Sequence, residues 1–274
     1  MKPALLCLSV LFAGIYAASP SLDAPSGRIL GGRNAAKGQL PYQVSIQYCL
    51  NSNSCQHSCG GAIIDPNWII SAAHCITQAP ALGSYQIVAG VTDLKDESET
   101  PQTIRISYVF IHPNYEGGIN PHDIALFRLS EPLDLNNQVA VINLPDADEE
   151  YTGTARISGW GSTGGSETPV MPTNLQYVDT PTIPTTDCQT ALDKVLGGLP
   201  HPLDLEGNIC TGPLTGGVSI CTGDSGGPVA DAQGQKLIGI TSWFVTPCGT
   251  VGAPSIHVKL SNYITWIKAT AGID

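Results

Sequence analysis

Short stretches of alternating apolar and polar residues recur along the whole chain, each bounded by turn-forming residues. The run 42–47 (Tyr-Gln-Val-Ser-Ile-Gln) alternates as a half-buried strand does. Runs 68–71, 85–88, 104–107, 124–127, 155–158 and 236–240 continue the series. Between them lie segments such as 161–172, dense in Gly, Ser, Thr and Pro, that read as loops. One helical pattern stands near the C-terminus: Ser261 is placed to cap it, Tyr263, Ile264, Trp266 and Ile267 form its apolar face, and Gly272 ends it. No repeat of fixed period occurs. The pattern predicts an all-β molecule closed by one packing helix.

Composition agrees. Of 274 residues 42% are apolar and 13% charged, enough for a sizeable core, and 30 Gly with 21 Pro supply many turns. Twelve basic against 23 acidic residues leave a formal charge of −11, which argues against a nucleic-acid-binding surface. The chain starts with Met1-Lys2, an apolar run over 4–15 and small residues around Ala17, which together predict a signal peptide over 1–17. That run is shorter than the roughly 20 residues of a membrane span. Residues 18–28 read as a short pro-segment, leaving 29–274 as the mature domain. Nine cysteines are an odd count, but Cys7 departs with the leader. The remaining eight are an even set, the mark of a disulfide framework in an exported protein, with 105 connectivities open. No Asn-x-Ser/Thr acceptor is present, so no N-linked sugar is expected. The acidic stretches 93–99 and 146–150 read as solvated loops. A calcium loop could use the first, but its ligand spacing matches no pattern strongly, and no metal or cofactor is expected.

The sharpest motif is Gly223-Asp224-Ser225-Gly226-Gly227-Pro228. A nucleophilic serine needs a tight turn whose backbone N–H groups face a developing oxyanion, and glycines permit that approach. Serine also needs a base, usually a histidine oriented by a carboxylate. His74, in Ser71-Ala72-Ala73-His74-Cys75, and Asp123, directly before an apolar strand, fit those roles, though either alone would pass as a structural residue. His57, His112 and His201 sit in loop-like segments and read as solvated; His257 reads as structural or as part of a pocket wall.

Together, Arg28-Ile29-Leu30-Gly31-Gly32, Ser71-to-Cys75, Asp123-to-Leu126, Ser158-Gly159-Trp160-Gly161 and Gly223-to-Pro228 resemble the chymotrypsin/trypsin family of serine endopeptidases, in the family's order His, Asp, Ser. The resemblance runs from Ile29 to the terminal helix. It implies two six-stranded antiparallel β-barrels, about 29–145 and 146–274, with the reacting residues in the cleft between them. It implies that Ser225 attacks the scissile carbonyl, His74 shuttles the proton and Asp123 orients His74. The N–H groups of Gly223 and Ser225 would form the oxyanion hole. Cleavage after Arg28 by a trypsin-like activator would free the α-amino group of Ile29 to pair with Asp224; Leu30 stands where Val is more usual. Implied bridges are Cys59–Cys75, Cys188–Cys210 and Cys221–Cys248, which leaves Cys49–Cys55 as the economical remaining pair.

The family's pocket base falls six residues before the nucleophile, at Ser219, and its walls at Ser242-Trp243-Phe244 and around Ser255, with Ile220 beside the base. An uncharged base disfavours Lys or Arg at P1, and Phe244 at the mouth disfavours large rings. The expectation is an elastase-like preference for small or medium apolar P1 residues, with a chymotrypsin-like preference as the alternative. The expected partners are protein or peptide substrates, the activating protease and protein inhibitors; the molecule is expected to be a secreted monomer, and its export signal and short pro-segment fit a digestive role. A rival reading, a non-catalytic homologue acting as a binding module, usually goes with loss of Ser, His or Asp, and here all three are present.

Overall fold

The computed structural model describes residues 29–51, 54–78, 80, 82–164 and 169–273. The expected signal and pro-segments, Cys7 and Arg28 lie outside the described residues. In the first half the strands are β1 (Arg33–Asn34), β2 (Gln43–Asn51), β3 (Ser54–Asp65), β4 (Trp68–Ser71), β5 (Ser84–Ala89), β6 (Gln102–Ile111) and β7 (Ala125–Leu129). The second half contributes β8 (Thr154–Gly159), β9 (Gln176–Ile183), β10 (Asn208–Thr211), β11 (Pro228–Asp231), β12 (Leu237–Phe244) and β13 (Ser255–Lys259). Three helices accompany them: α1 (His74–Thr77), α2 (Thr185–Val195) and α3 (Ile264–Ala271).

Strands β2-β3-β4-β7-β6-β5 close into one barrel. The second closes in the order β8-β9-β10-β13-β12-β11, because β11 and β9 both pair with β8, while β1 adds to an edge of β9. The two six-stranded antiparallel barrels expected from the resemblance are therefore present. Closure leaves no long unpaired edge, which an open sheet of this size would have to protect. Val44, Ile46, Ile69, Ile70, Ile87, Leu126 and Phe127 fill the first barrel. Ala155, Ile157, Val178, Ile209, Val229 and Ile238 form the second interior, together with Ile29.

Strand β3 escaped the alternation pattern because Gly60 and Gly61 interrupt its side-chain rhythm. A Cβ at Gly60 would come within 2.7 Å of the Gly227 Cα, so the glycine lets the barrels touch. Helix α2 was also missed: only Cys188, Ala191 and Leu192 of it are buried, too few to stand out as a periodic stripe. At the C-terminus Ser261 is not the cap. It lies within a 3₁₀ turn, Leu260–Tyr263, and α3 begins at Ile264 with no side-chain cap. Gly272 does end α3, at φ 67°.

The four cystines are Cys49–Cys55, Cys59–Cys75, Cys188–Cys210 and Cys221–Cys248. Cys49 and Cys55 stand directly opposite each other across the β2–β3 hairpin. The acidic stretches are tied to the fold rather than simply solvated. In 93–99, Glu99 accepts the Thr92 N–H at 2.6 Å and Asp93 that of Lys95 at 2.9 Å. Farther on, Glu149 binds the Lys236 ammonium at 2.8 Å, and Glu150 pairs with Lys259.

Candidate active site

Strand β4 ends at Ser71, and the buried Ala72 and Ala73 lead directly into α1, whose first residue is His74. The Cys59–Cys75 bridge ties this single turn to β3. Asp123, 2% exposed, immediately precedes the apolar entry to β7. Its Oδ2 lies 2.7 Å from His74 Nδ1 and its Oδ1 accepts the His74 backbone N–H at 2.8 Å. Ser242 Oγ donates to the same Oδ2 at 2.6 Å. The carboxylate thus meets three donors, as a buried polar group must. With Nδ1–H given to Asp123, the lone pair of the neutral ring is left on Nε2, the atom a proton shuttle needs.

Ser225 comes from the loop before β11 and is held against the first barrel by its backbone. Gly60 N–H donates to Ser225 O at 2.8 Å, and Ser71 Oγ to Gly60 O at 2.8 Å. Gly226, at φ 74°, has no alternative: a Cβ there would fall 2.0 Å from Ser71 Oγ. The fold brings the Ser225 turn onto the strands that carry His74, yet among the described residues no hydrogen bond joins the Ser225 hydroxyl to His74. Such bonds often tighten only with substrate bound. In the same turn Asp224 N–H, Gly226 N–H and Gly227 N–H all have backbone acceptors, whereas those of Gly223 and Ser225 donate to no described residue. Two unengaged donors on one turn are what an oxyanion requires.

Two groups behind this turn complete it. His57, expected to be solvated, is in β3 and half-buried: Nδ1 meets Ser45 Oγ at 2.8 Å and Nε2 meets the Gly223 carbonyl at 3.0 Å. Burial lowers its pKa to about 4, so the ring is neutral and braces the loop. The alternation pattern held no signal for it. His112 and His201 are likewise not free in solvent. His112 stacks on His122 at 5.0 Å, and His201 meets Asp193 at 3.3 Å. His257 is wholly buried against Thr211 Oγ1 at 2.8 Å, a structural position.

Asp224 is wholly buried and accepts the N–H groups of Gly161 and Cys221, each at 2.9 Å. No cation is paired with it among the described residues, and desolvation raises its pKa to about 7. Ile29 is also wholly buried, in one apolar cluster with Ile157 and Ile220. Burying that side chain contributes about 2 kcal/mol.

At the expected pocket, Ser219 and Ser255 meet, their Oγ atoms 3.4 Å apart, and Ser255 Oγ also accepts the Ile220 N–H at 3.2 Å. Ile220 does not line a pocket with its side chain; it is wholly buried in the cluster with Ile29. Phe244 is half-buried and faces Ser255 across β12–β13. A cleft of about 220 Å³ is lined by His74, Gln78, Gly118, Ile119, Asp123, Ser242, Trp243, Phe244 and Thr246. Neither Ser219 nor Ser255 reaches it. Cys59, His74 and Cys75 cluster closely enough for a metal, but both sulfurs are committed to the cystine and offer no thiolate. Among the described residues no helix is long and apolar enough to cross a membrane.

The Trypsin family model matches residues 29–267. The chain is 37% identical over 262 residues to Trypsin I-P1 of Gallus gallus, covering 95% of this chain and 96% of that protein. It is 36% identical over 246 residues to Trypsin of Sus scrofa (89% and 95% covered) and 36% identical over 272 residues to Anionic trypsin of Canis lupus familiaris (98% of each).

Proposed function

The chain belongs to the trypsin family of serine endopeptidases, and on that premise we propose how it works, what activates it and which bonds it cuts. In this reading residues 1–17 export the chain, and cleavage after Arg28 removes the pro-segment 18–28 to give a secreted, monomeric enzyme. The observation that carries the catalytic assignment is the His74–Asp123–Ser242 hydrogen-bond set, placed against the turn that presents Ser225. Ser225 Oγ attacks the substrate carbonyl carbon while its proton passes to His74 Nε2, and Asp123 holds the imidazolium in place. The oxyanion is received by the N–H groups of Gly223 and Ser225. Collapse expels the amine with the proton from His74, and water then hydrolyses the acyl-enzyme by the same steps.

Activation follows from Asp224. A wholly buried carboxylate with two N–H donors and, among the described residues, no cation is poorly satisfied, and the new ammonium of Ile29 supplies the missing charge. That pairing orders the turn bearing Gly223 and Ser225.

For P1 we infer an elastase-like preference. Ser219 brings no carboxylate to the pocket floor, Ser255 is hydrogen-bonded across it, and Phe244 narrows the wall. The relatives are named trypsins, but their name puts no charge at Ser219. The protein after cleavage at Arg28–Ile29 reacts stoichiometrically with a serine-directed phosphonylating reagent, and the uncut protein reacts far more slowly. Absence of reaction in the cut protein sinks the catalytic assignment. On a P1-varied peptide library Ala and Val are cleaved fastest; faster cleavage after Lys, Arg, Phe or Tyr overturns the pocket reading.

A further inference from the structure

We propose that His122 is a positioning residue for Asp123, and that its stack with His112 makes the positioning sensitive to protons. The inference rests on the catalytic reading of Asp123. His122 directly precedes Asp123 and takes φ 64°, a left-handed conformation that a residue with a side chain adopts only when its surroundings hold it there. The Ile124 N–H donates to His122 O at 2.7 Å, closing a three-residue turn with Asp123 at its centre. The Ile124 carbonyl in turn accepts the His112 N–H at 3.1 Å. The backbones of two histidines therefore hold both polar groups of the residue that follows Asp123.

The rings lock the same arrangement. The imidazoles stack with centroids 5.0 Å apart and planes 20° from parallel. His122 Nδ1 lies 2.9 Å from the Tyr263 hydroxyl, and His112 Nδ1 accepts the Asn114 N–H at 3.3 Å. Tyr263 and Trp266 close the far side edge-on to His112, at 5.2 and 5.0 Å. The titratable groups around the pair are Asp123 on its own turn, Tyr115 on the loop after β6, and Tyr263, which itself feels Asp204. Partial burial and the neighbouring His122 hold the His112 pKa below its ordinary value.

An imidazole that accepts at Nδ1 suits the neutral form. Protons on both rings would set two like charges 5.0 Å apart in a half-buried site, and separating them pulls on the turn that holds Asp123. On acidification the enzyme then loses Asp123 geometry in addition to the one-proton acid limb that a general-base mechanism shows. Its acid limb is steeper than one proton accounts for.

The test measures kcat and KM against pH for the cleaved enzyme on an apolar-P1 peptide amide. For the unsubstituted enzyme, log kcat/KM falls with a limiting slope approaching about two. His112→Phe keeps a stacked ring without the charge and returns the slope to about one, with kcat at alkaline pH within about twofold. His122→Ala lowers kcat about tenfold or more at unchanged KM, whereas His122→Asn, which tolerates the left-handed φ and still offers Tyr263 an oxygen, restores most of it. Thermal unfolding at neutral pH identifies any variant that has merely lost its fold. A slope of one in the unsubstituted enzyme, superimposable on His112→Phe, overturns the proton sensitivity. A kcat for His122→Ala equal to that of His122→Asn overturns the positioning role. Should the protein fail the phosphonylation test, the low-field proton resonance of the His74–Asp123 hydrogen bond still decides. It is sharp in the parent and in His122→Asn and broadened in His122→Ala if the inference holds, and the same in all three if it does not.

Discussion

Two buried aspartates, one belonging to each barrel, sit in opposite electrostatic circumstances. Asp123 meets a ring N–H, a backbone N–H and a hydroxyl, all within 2.8 Å. Asp224 is more deeply buried, has two backbone N–H donors and has no counter-charge among the described residues. The glycines around it leave space only for the carboxylate itself: a Cβ on Gly161 would fall 2.3 Å from the Asp224 Cγ. Among the described residues the first carboxylate is fully partnered and the second is not, and the proposal that a new Ile29 ammonium activates the protein rests on that difference.

The largest effect that would break this contrast comes from Asp123→Asn. It should leave the fold intact and lower kcat by about 10⁴, the size this exchange has in a serine protease of the same fold. An effect below about tenfold would show that His74 is oriented by other means.

The comparison is sharpened by Asp224→Asn, which should act oppositely before and after cleavage. Cut enzyme should lose activity by about 10²–10³ or more, measured as kcat/KM, because its oxyanion donors lose their anchor. Uncut protein should become more stable at alkaline pH, since an ionised carboxylate without a partner has gone. The sign is set by the raised pKa: the folded value of about 7 lies above the ordinary 3.8, so this group's stability contribution is fully present below pH 3.8 and is lost as pH rises through about 7. The difference in unfolding free energy between parent and Asp224→Asn should therefore swing by about 4 kcal/mol across that window. Taking the difference cancels His57 and His257, whose lowered values remove stability as pH falls below the ordinary 6.5. A flat difference in the uncut protein would mean that Asp224 already has a cationic partner there.

The smallest effect concerns the pocket. Phe244→Gly should raise the ratio of kcat/KM for Phe over Ala at P1 by about 10–100-fold, in line with the modest energies that apolar pockets discriminate. No change in the ratio would place the wall elsewhere.

Much of the site was legible in order along the chain: Ser71-to-Cys75, Asp123 before its apolar strand, and Gly223-to-Pro228 each announce a local conformation. Most strands were legible too, because a sheet with one buried face alternates with period two. What was hidden had side chains that break periodicity or depend on distant partners. Gly60 and Gly61 conceal β3 because their small size serves the contact between barrels. Ile220, next to Ser219 in sequence, packs in the interior with Ile29 and Ile157, partners that no local pattern reveals. His57 looked like a loop residue, and only the second barrel, offering the Gly223 carbonyl, explains its burial.

The sequence by itself determined the all-β class and which serine, histidine and aspartate come together in a resemblance. These depend on local chemistry or on residue order, both of which a linear chain carries. Tertiary structure alone decided that Ser242 binds the Asp123 carboxylate, that the hydroxyls of Ser219 and Ser255 meet, and that His112 lies flat against His122. It also decided that Asp224 is buried with no cation beside it among the described residues. Each of these contacts joins residues distant in sequence, and their geometry is set by barrel closure and packing, which no local pattern encodes.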